Sequence, residues 1–169
     1  LAAMPRLTVM LPSPTLEEQE ALEAVARDFQ EDHPRLPVDL QPTPWMGYEQ
    51  KLVVLIAAGD APDVFSLPAD RFALYAEQGV LYPLEELVSE PAAPLPATIP
   101  AQRLQEGLWN GRRYGLPHPT RRELLVIWHR TPWPREAWDL LRRIASAIPY
   151  LPEPPAPQPA GPLPFPPGF

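Results

Sequence analysis

The sequence predicts an α/β fold in which a mixed, mainly parallel sheet of five strands is flanked by helices. Three observations support this prediction. Short apolar segments recur near 7–11, 37–41 and 63–66, a helical pattern of apolar residues follows each, and proline or glycine separates the two. Helices after buried strands are typical of βα units, whose right-handed crossovers place successive strands in one parallel sheet. With 169 residues, the chain is long enough for one domain with a core.

The first strand-helix unit carries a clear boundary signal. After the apolar strand at 7–11, Thr15 and Glu18 stand three residues apart. This is the spacing of a capping box, in which each side chain bonds the other residue's backbone N–H. Apolar residues then recur at helical spacing, and we expect the helix to end before Pro34 because proline cannot continue it.

The second strand-helix unit is bounded by prolines. Residues 37–41 alternate apolar and polar side chains, as a half-buried strand does. We expect Pro42 and Pro44 to end this strand, because proline donates no backbone hydrogen bond to a sheet. A second helix is expected from about 47 to 58.

The third unit, at 57–79, organises the rest of the chain. Gly59 is expected to end the second helix, since glycine enters the left-handed region without steric cost. Asp70 is expected to cap the third helix by accepting from free backbone N–H groups, and Gly79 to end it. Residues 66–71 then lie at the carboxyl end of a strand, where open α/β sheets bind ligands.

The carboxyl half adds a hairpin, a strand and a helix. Asn110-Gly111 is the strongest two-residue hairpin signal, because both turn positions need a positive φ. A long apolar strand is predicted at 123–128, with alternate residues on opposite faces. Pro134 suits the first turn of a last helix.

The composition excludes several kinds of function. Cysteine is absent, which rules out disulfides, thiol catalysis and cysteine metal sites. A net charge of −7 argues against general nucleic-acid binding, and no apolar run is long enough to cross a membrane. Residues 101–143 nevertheless hold nine basic residues, all arginine, against four acidic ones. This stretch is either a solvated surface or a face that attracts anions.

We divide the chain into a lobe at 1–148 and a tail at 149–169. Ten of the 28 prolines fall in the tail. Proline at that density cannot make the hydrogen bonds of helix or sheet, so we expect an irregular, polyproline-like segment. Such a segment is either a ligand for an aromatic groove or the product of a shifted reading frame in GC-rich DNA.

No pattern of residues indicates catalysis. Of the three histidines, we expect His33 at the surface, His129 in a structural role and His118 nearest to a cleft. The sequence lacks metalloprotease, nucleophile-elbow and phosphate-loop motifs, and its adjacent acidic pairs do not converge on one bond. We therefore predict that the protein is not an enzyme and uses no cofactor or metal.

A central set of motifs resembles the solute-binding proteins of ABC importers. The motifs are 58–64 (Ala-Gly-Asp-Ala-Pro-Asp-Val), Asp70-Arg71 and 75–79 (Tyr-Ala-Glu-Gln-Gly). The similarity runs from about Leu7 to Leu141. The branch that it resembles is the sugar-binding, maltose-binding-protein-like one.

The resemblance implies a periplasmic-binding-protein-like lobe that captures a solute. It implies a carbohydrate or an anionic sugar as ligand, and the membrane subunits of an ABC transporter as partners. It also implies a periplasmic or extracellular location, although no signal peptide is evident in this sequence. Members of the family close two lobes on the solute. Because this sequence turns to prolines after the crossing strand, we interpret it as a single lobe that binds weakly.

The resemblance also implies ligand-binding residues at the strand ends. In sugar-binding relatives an Asp-Arg pair at the place of Asp70 and Arg71 grips neighbouring hydroxyls of a sugar ring. Trp45 can stack on a sugar face, and Ser13 can donate to a ligand. Ser66 stands near a position where relatives use an aromatic residue. The structural alternatives stay open, with Asp70 as a helix cap and Trp45 as part of the core.

Arg121 and Arg122 complete the predicted ligand site. They lie where sugar-binding relatives often place a carboxylate or a small polar residue. Two arginines favour a phosphorylated or acidic sugar, and the alternative is a solvated surface without a ligand.

Self-association is the alternative function. In relatives the crossing strand leads to a second lobe, so here the face that carries Leu124, Val126 and Trp128 needs another cover. Leu125 and Ile127, on the opposite face, are expected to pack on the lobe's own helices. A homodimer, or the proline-rich tail, would supply the missing cover.

Overall fold

The computed structural model describes residues 6–12, 15–87, 99–118, 123–129 and 136–147. The strands in these ranges are β1 (Leu7–Pro12), β2 (Val38–Thr43), β3 (Val64–Pro68), β4 (Leu108–Trp109), β5 (Arg112–Arg113), β6 (Gly115–Pro117) and β7 (Glu123–Ile127). The α-helices are α1 (Leu16–Asp32), α2 (Tyr48–Ala57), α3 (Phe72–Glu77) and α4 (Glu136–Ser146). The predicted tail and the domain boundary at 148 lie outside the described residues.

Five strands form one sheet in the order β2-β1-β3-β7-β6. β1 pairs in parallel with β2 and β3, whereas β7 is antiparallel to both β3 and β6. Four of the five strands therefore run in one direction. The predicted mixed, mainly parallel sheet flanked by helices is confirmed.

The capping box at the start of α1 is confirmed. The Thr15 hydroxyl accepts from the N–H of Glu18 at 3.2 Å, and the Glu18 carboxylate accepts from the N–H of Thr15 at 3.3 Å. The helix ends at Asp32, before Pro34, as predicted. Its buried stripe packs α1 onto the sheet through Leu22, Ala26 and Phe29.

The prediction that Pro42 ends the second strand is wrong. β2 continues through Pro42 to Thr43, and Pro42 stands opposite Leu11 of β1. Because β2 is an edge strand with a partner on one side only, a residue without an N–H fits in it.

The prediction that Asp70 caps the third helix is also wrong. α3 begins at Phe72, its N-cap residue is Arg71, and no side chain bonds to that cap. Asp70 is exposed in the preceding turn, which the N–H of Arg71 closes by donating to the Pro68 carbonyl at 2.9 Å. The turn after β3 is thus one residue longer than the local pattern suggested.

The core has two parts, one on each face of the sheet. One part packs α1 and α4 against the sheet, and the other packs α2 and α3. The side chains of β7 alternate between the two parts as predicted, with Leu125 and Ile127 in the first and Leu124 and Val126 in the second. The expectation that Leu124 and Val126 need an outside cover is wrong, because both are at most 1% exposed. The chain's own helices bury both faces of this strand.

The predicted hairpin is confirmed as β4 and β5. Asn110 and Gly111 have φ angles of 49° and 76°, so both turn positions lie in the left-handed region. This hairpin forms a separate two-stranded sheet, and Gly115 then enters the main sheet in β6.

His33 links α1 to α4 from a partly exposed position. Its Nε2 is 2.9 Å from Oδ2 of Asp139, and its ring centroid is 4.4 Å from that of Phe29. Arg143 bonds Asp139 at 3.0 Å and also pairs with Asp32 at the end of α1. His33 is thus partly exposed and at the same time joins the two helices, because α4 packs beside the end of α1.

Across the described ranges, no helix combines the length and the apolar character needed to cross a membrane.

Candidate functional site

The ends of five strands meet at one border of the sheet, which we call the carboxyl edge. It is formed by Pro12, Thr43, Pro68 and Pro117, the last residues of β1, β2, β3 and β6, and by Glu123, the first residue of β7. Glu123 stands opposite Pro68 because β7 is antiparallel to β3. In open α/β sheets ligands bind outside such an edge, in the loops that leave the strands.

Trp45 lies in the loop from β2 to α2 with 52% of its surface exposed. Gly47, with φ of 84°, turns this loop into the helix, and the Trp45 carbonyl accepts from the N–H of Tyr48 at 3.2 Å. The neighbouring Met46 is 94% exposed. The structure therefore places Trp45 at the carboxyl edge and not in the core.

Tyr48 reaches back from the same turn into the sheet. Its hydroxyl lies 3.0 Å from the carbonyl oxygens of Met10 and Ser66 and accepts from the N–H of Ser66 at 3.1 Å. Burial raises the pKa of Tyr48 well above its usual range, and the nearby Glu123 carboxylate adds to that effect. The hydroxyl therefore keeps its proton at every pH near neutrality.

Arg71 lies at the start of α3 and points toward α2. Its Nε and Nη2 are each 2.8 Å from Oε1 of Glu49. The hydrogen bond to Glu49 and its negative charge raise the pKa of Arg71 above the usual value. Asp70 is exposed beside it. The predicted pair thus reaches the carboxyl edge, with one partner solvated and the other held by a carboxylate.

Glu49 also accepts from the hydroxyl of Tyr75, at 3.2 Å. Burial, reinforced by the charge of Glu49, raises the pKa of Tyr75 to about 12. Arg71 and Tyr75 line a groove of about 360 Å³ between α2 and α3, whose wall also contains Val53 and Leu74. One carboxylate therefore orders the side chains of Tyr75 in α3 and of Arg71 at its N-cap.

Ser66 is fully buried in β3, so the structure places it below the carboxyl edge. Its hydroxyl oxygen has no hydrogen-bond partner within the described part of the chain. Ser13, Arg121 and Arg122 lie outside the described residues. Their roles in ligand binding, like that of Ser66, stay predictions.

Glu123 is a residue of this edge that the motifs did not reveal. It is only 4% exposed at the start of β7, and its backbone carbonyl accepts from the N–H of His118 at 2.8 Å. His118 itself is buried beside it, at the end of β6. The sequence does contain a signal, because Glu123 is the acidic first residue of an otherwise apolar strand. Burial of a carboxylate costs free energy, so a buried carboxylate indicates either a stabilising partner or a functional role.

Several arginines of the stretch at 101–143 serve the fold. Arg103 is 4% exposed, pairs with Glu106 at 2.9 Å and donates to the His118 carbonyl at 2.7 Å. Arg113 donates to three backbone carbonyls, and burial lowers its pKa below the usual value. Arg112 forms ion pairs with two glutamates of the short 3₁₀ helix at 84–87. These bonds favour structural roles for Arg103, Arg112 and Arg113.

A groove of about 230 Å³ opens beside the carboxyl edge, between α1 and β2. Leu11 and Leu22 form part of its apolar floor, and Gln19 and Gln41 supply amide groups. No group of three or more histidine, aspartate or glutamate side chains in the described ranges could hold a metal ion. The carboxyl edge and the groove beside it thus present an indole, carboxylates, a guanidinium and amides.

Comparison with known proteins agrees with this architecture. The model of the family "Bacterial extracellular solute-binding protein" matches residues 13–133. A search of curated proteins gave no match. Similar solved structures include the ABC substrate-binding protein Lmo0181 from Listeria monocytogenes, in complex with cycloalternan, at 30% identity and a TM-score of 0.58. That similarity covers 67% of this chain and 28% of the other.

Two further solved structures show the same pattern. A solute-binding protein of an ABC transporter from Thermotoga lettingae, bound with α-D-tagatose, is 27% identical, with a TM-score of 0.55 over 68% of this chain and 29% of that one. The GacH receptor of Streptomyces glaucescens is 21% identical with a TM-score of 0.55, over 69% and 29% of the two chains, and shows the fold alone. This chain thus spans less than a third of the length of these proteins. The matched family model extends over most of the chain, which belongs to the bacterial extracellular solute-binding proteins.

Proposed function

We propose that this chain binds a carbohydrate at the carboxyl edge and serves solute capture by an ABC importer outside the cytoplasmic membrane. The observation that supports this most is that Trp45, which is 52% exposed, and Arg71 are both tied to the first turn of α2, Trp45 through its backbone carbonyl and Arg71 through its guanidinium. Two of the similar structures hold cycloalternan and α-D-tagatose, which are both carbohydrates.

The chemistry of the edge suits a sugar. Trp45 offers a flat apolar surface on which the C–H face of a pyranose can stack. The exposed carboxylate of Asp70 can accept from two hydroxyls, and the guanidinium of Arg71 keeps donors beyond those that face Glu49. Binding of this kind needs no catalytic step, and the proposal includes none.

The charge of the ligand is part of the proposal. Because Glu49 offsets Arg71, a preference for an anionic sugar depends on Arg121 and Arg122, which the sequence places next to Glu123. We expect a phosphorylated sugar to bind more tightly than a neutral one. The described residues supply one wall of a cleft, so most of the ligand stays hydrated and affinity is expected in the millimolar range, roughly −4 kcal/mol.

Calorimetry on the full chain tests the proposal with maltotriose as a neutral probe and glucose 6-phosphate as an anionic one. Arg71→Gln and Trp45→Ala are expected to lower affinity about tenfold each. Arg27→Gln, an exposed arginine in the middle of α1, and Met46→Ala, the neighbour of Trp45, are the matched controls and should change affinity less than twofold.

Two results would contradict the proposal. One is the absence of heat from both probes at millimolar concentration. The other is binding that the controls weaken as much as the site variants do. A stronger response to maltotriose than to glucose 6-phosphate would retain carbohydrate binding and remove the anionic preference.

A further inference from the structure

The backbone pairing of β1 with β3 stops short of the carboxyl edge. In the described chain this pairing reaches Met10 and Phe65, whereas β1 continues to Pro12 and β3 to Pro68. The two strand ends that border the proposed ligand site are therefore not held by a β-ladder between them. Another group must satisfy the buried backbone there, because unpaired N–H and C=O groups are costly in a protein interior.

The hydroxyl of Tyr48 takes that place. It lies 3.0 Å from the Met10 carbonyl on β1, 3.0 Å from the Ser66 carbonyl on β3 and 3.1 Å from the Ser66 nitrogen. A phenol has one proton and two lone pairs, so it accepts from the Ser66 N–H and donates to one of the two carbonyls at a time. A side chain thus bridges the two strands where their own hydrogen bonds end.

The same turn of α2 also holds the proposed ligand residues. The N–H of Tyr48 bonds the Trp45 carbonyl at 3.2 Å, and the next residue, Glu49, fixes Arg71 at 2.8 Å. A shift of Tyr48 relative to the sheet would therefore move both the indole and the guanidinium. The aromatic ring is only 4% exposed and packs in the core, so the turn is anchored from below.

We infer that Tyr48 is a positioning residue of the ligand site, whose hydroxyl sets the spacing of the β1 and β3 ends and thereby the placement of Trp45 and Arg71. This inference rests on the proposed carbohydrate site for its consequence, but the bridge itself is a property of the ligand-free chain. Phenylalanine would fill the same space and leave the Ser66 N–H and the Met10 carbonyl without this partner.

The bridge is tested first in the unmodified full chain by NMR. We expect a slowly exchanging hydroxyl proton on Tyr48, with a nuclear Overhauser contact to the amide proton of Ser66. The Ser66 amide should exchange far more slowly than that of Gly59, which is exposed at the end of α2. A Ser66 amide that exchanges as fast as Gly59, or a Tyr48 hydroxyl without this contact, would overturn the inference whatever the variants do.

The positioning role is tested with Tyr48→Phe, and Tyr114→Phe, which removes a hydroxyl beside the β4–β5 hairpin, is the matched control. In Tyr48→Phe, exchange at Ser66 should rise about tenfold or more while amides of β6 and β7 change less than twofold. The dissociation constant for maltotriose should rise about tenfold, and the control should leave both readouts unchanged.

The outcomes separate the inference from its premise. Faster exchange across the whole fold with unchanged affinity would show a merely structural tyrosine and overturn the positioning role. If the unmodified chain binds neither maltotriose nor glucose 6-phosphate, the proposed function fails. The exchange pattern at Ser66 then still decides whether Tyr48 holds the two strand ends.

Discussion

Arg71 directs two of its nitrogens, Nε and Nη2, at a single oxygen of Glu49, each at a distance of 2.8 Å. This contact crosses from α3 to α2 and sets the direction of the guanidinium at the proposed ligand site. It also means that the edge carries a compensated charge at this point and not a free cation. At the proposed site, Glu49 therefore counteracts the preference for anions that Arg121 and Arg122 would give.

Glu49→Gln should shift the balance between neutral and anionic ligands toward anions. The amide keeps an acceptor for Arg71 but removes a negative charge, so the affinity ratio of glucose 6-phosphate to maltotriose should rise about two- to five-fold at low salt and less at high salt. Stability should change little, since both side chains of the pair are partly open to solvent. Glu77→Gln, on the exposed end of α3, is the control. An unchanged ratio in Glu49→Gln would contradict the role given to this carboxylate.

Tyr75, which bonds the same oxygen of Glu49 as Arg71 does, leads to a prediction about the dependence of stability on pH. The folded state raises the pKa of Tyr75 to about 12, chiefly through burial and then through Glu49, against about 10 in an unfolded chain. A raised pKa means that the folded state holds this proton more tightly. Its contribution to stability is therefore fully present below pH 10 and is lost as the pH rises from there through about 12.

Site-specific NMR titration of labelled tyrosine checks this expectation. In Glu49→Gln the pKa of Tyr75 should fall toward its usual value but stay above it, because burial remains. Tyr75→Phe should remove part of the loss of stability in alkaline urea unfolding. A Tyr75 that titrates at its ordinary value in the folded chain would refute the assignment.

The sequence predicted the local parts of this fold because their signals are local. The capping box and the Asn-Gly hairpin depend on residues one to three positions apart, and the structure confirms both. The end of β2 was misplaced for a tertiary reason. Pro42 is tolerated only because β2 is an edge strand, and strand order does not follow from the segment itself.

The motif at 58–64 is a second case in which a tertiary contact does not follow from the local sequence. The carboxylate of Asp63, a residue of this motif, accepts from the N–H of Thr8 at 2.9 Å, and the Thr8 hydroxyl accepts from the N–H of Asp63 at 3.0 Å. These residues are 55 positions apart, and together they join the starts of β1 and β3. The bridge made by Tyr48 at the other end of the same strands was missed for the same reason.

The candidate site was predicted in outline. Strand ends can be inferred from the pattern, and this placed Trp45, Asp70 and Arg71 at one border of the sheet. What the sequence did not reveal is which group holds which, because the contact of Arg71 with Glu49 spans 22 residues between two helices. Burial of Glu123 likewise depends on strand pairing that only the fold defines.

Two glycines offer a matched test of the hairpin region. Gly107 has φ of 85°, and a Cβ there would clash with the backbone carbonyl of Gly115. Gly111 has φ of 76°, but a Cβ there would meet nothing within 4 Å. Both positions are left-handed, and only one of them is also crowded by backbone.

Gly111→Ala should therefore cost about 1–2 kcal/mol in the free energy of unfolding, which is the penalty for a left-handed alanine. Gly107→Ala should cost roughly 3 kcal/mol or more, because a backbone carbonyl would have to move and the bonds from Tyr114 and Gly115 to the Gly107 carbonyl would be disturbed. Urea unfolding followed by circular dichroism measures both. Equal losses would contradict the close approach of Gly107 to Gly115.

Truncation of Leu124 tests whether β7 is buried by the chain's own helices or at an interface between two copies of the chain. In the structure its side chain is 1% exposed and packs with the residues of α2 and α3. If instead a second chain covered this face, the free monomer would expose it. The two arrangements predict different effects of the same truncation.

We expect Leu124→Ala to lower the free energy of unfolding by about 2–5 kcal/mol, since it removes buried methyl groups and leaves a cavity. Leu74→Ala, at a position that is 49% exposed on α3, should cost less than about 1 kcal/mol. Urea unfolding measures the stability, and light scattering at micromolar concentration measures the mass of each variant. If Leu124→Ala left the stability unchanged and reduced a dimer to a monomer, the helices could not be the cover of β7. The self-association predicted from the sequence would then explain the burial of this strand better than packing on α2 and α3 does.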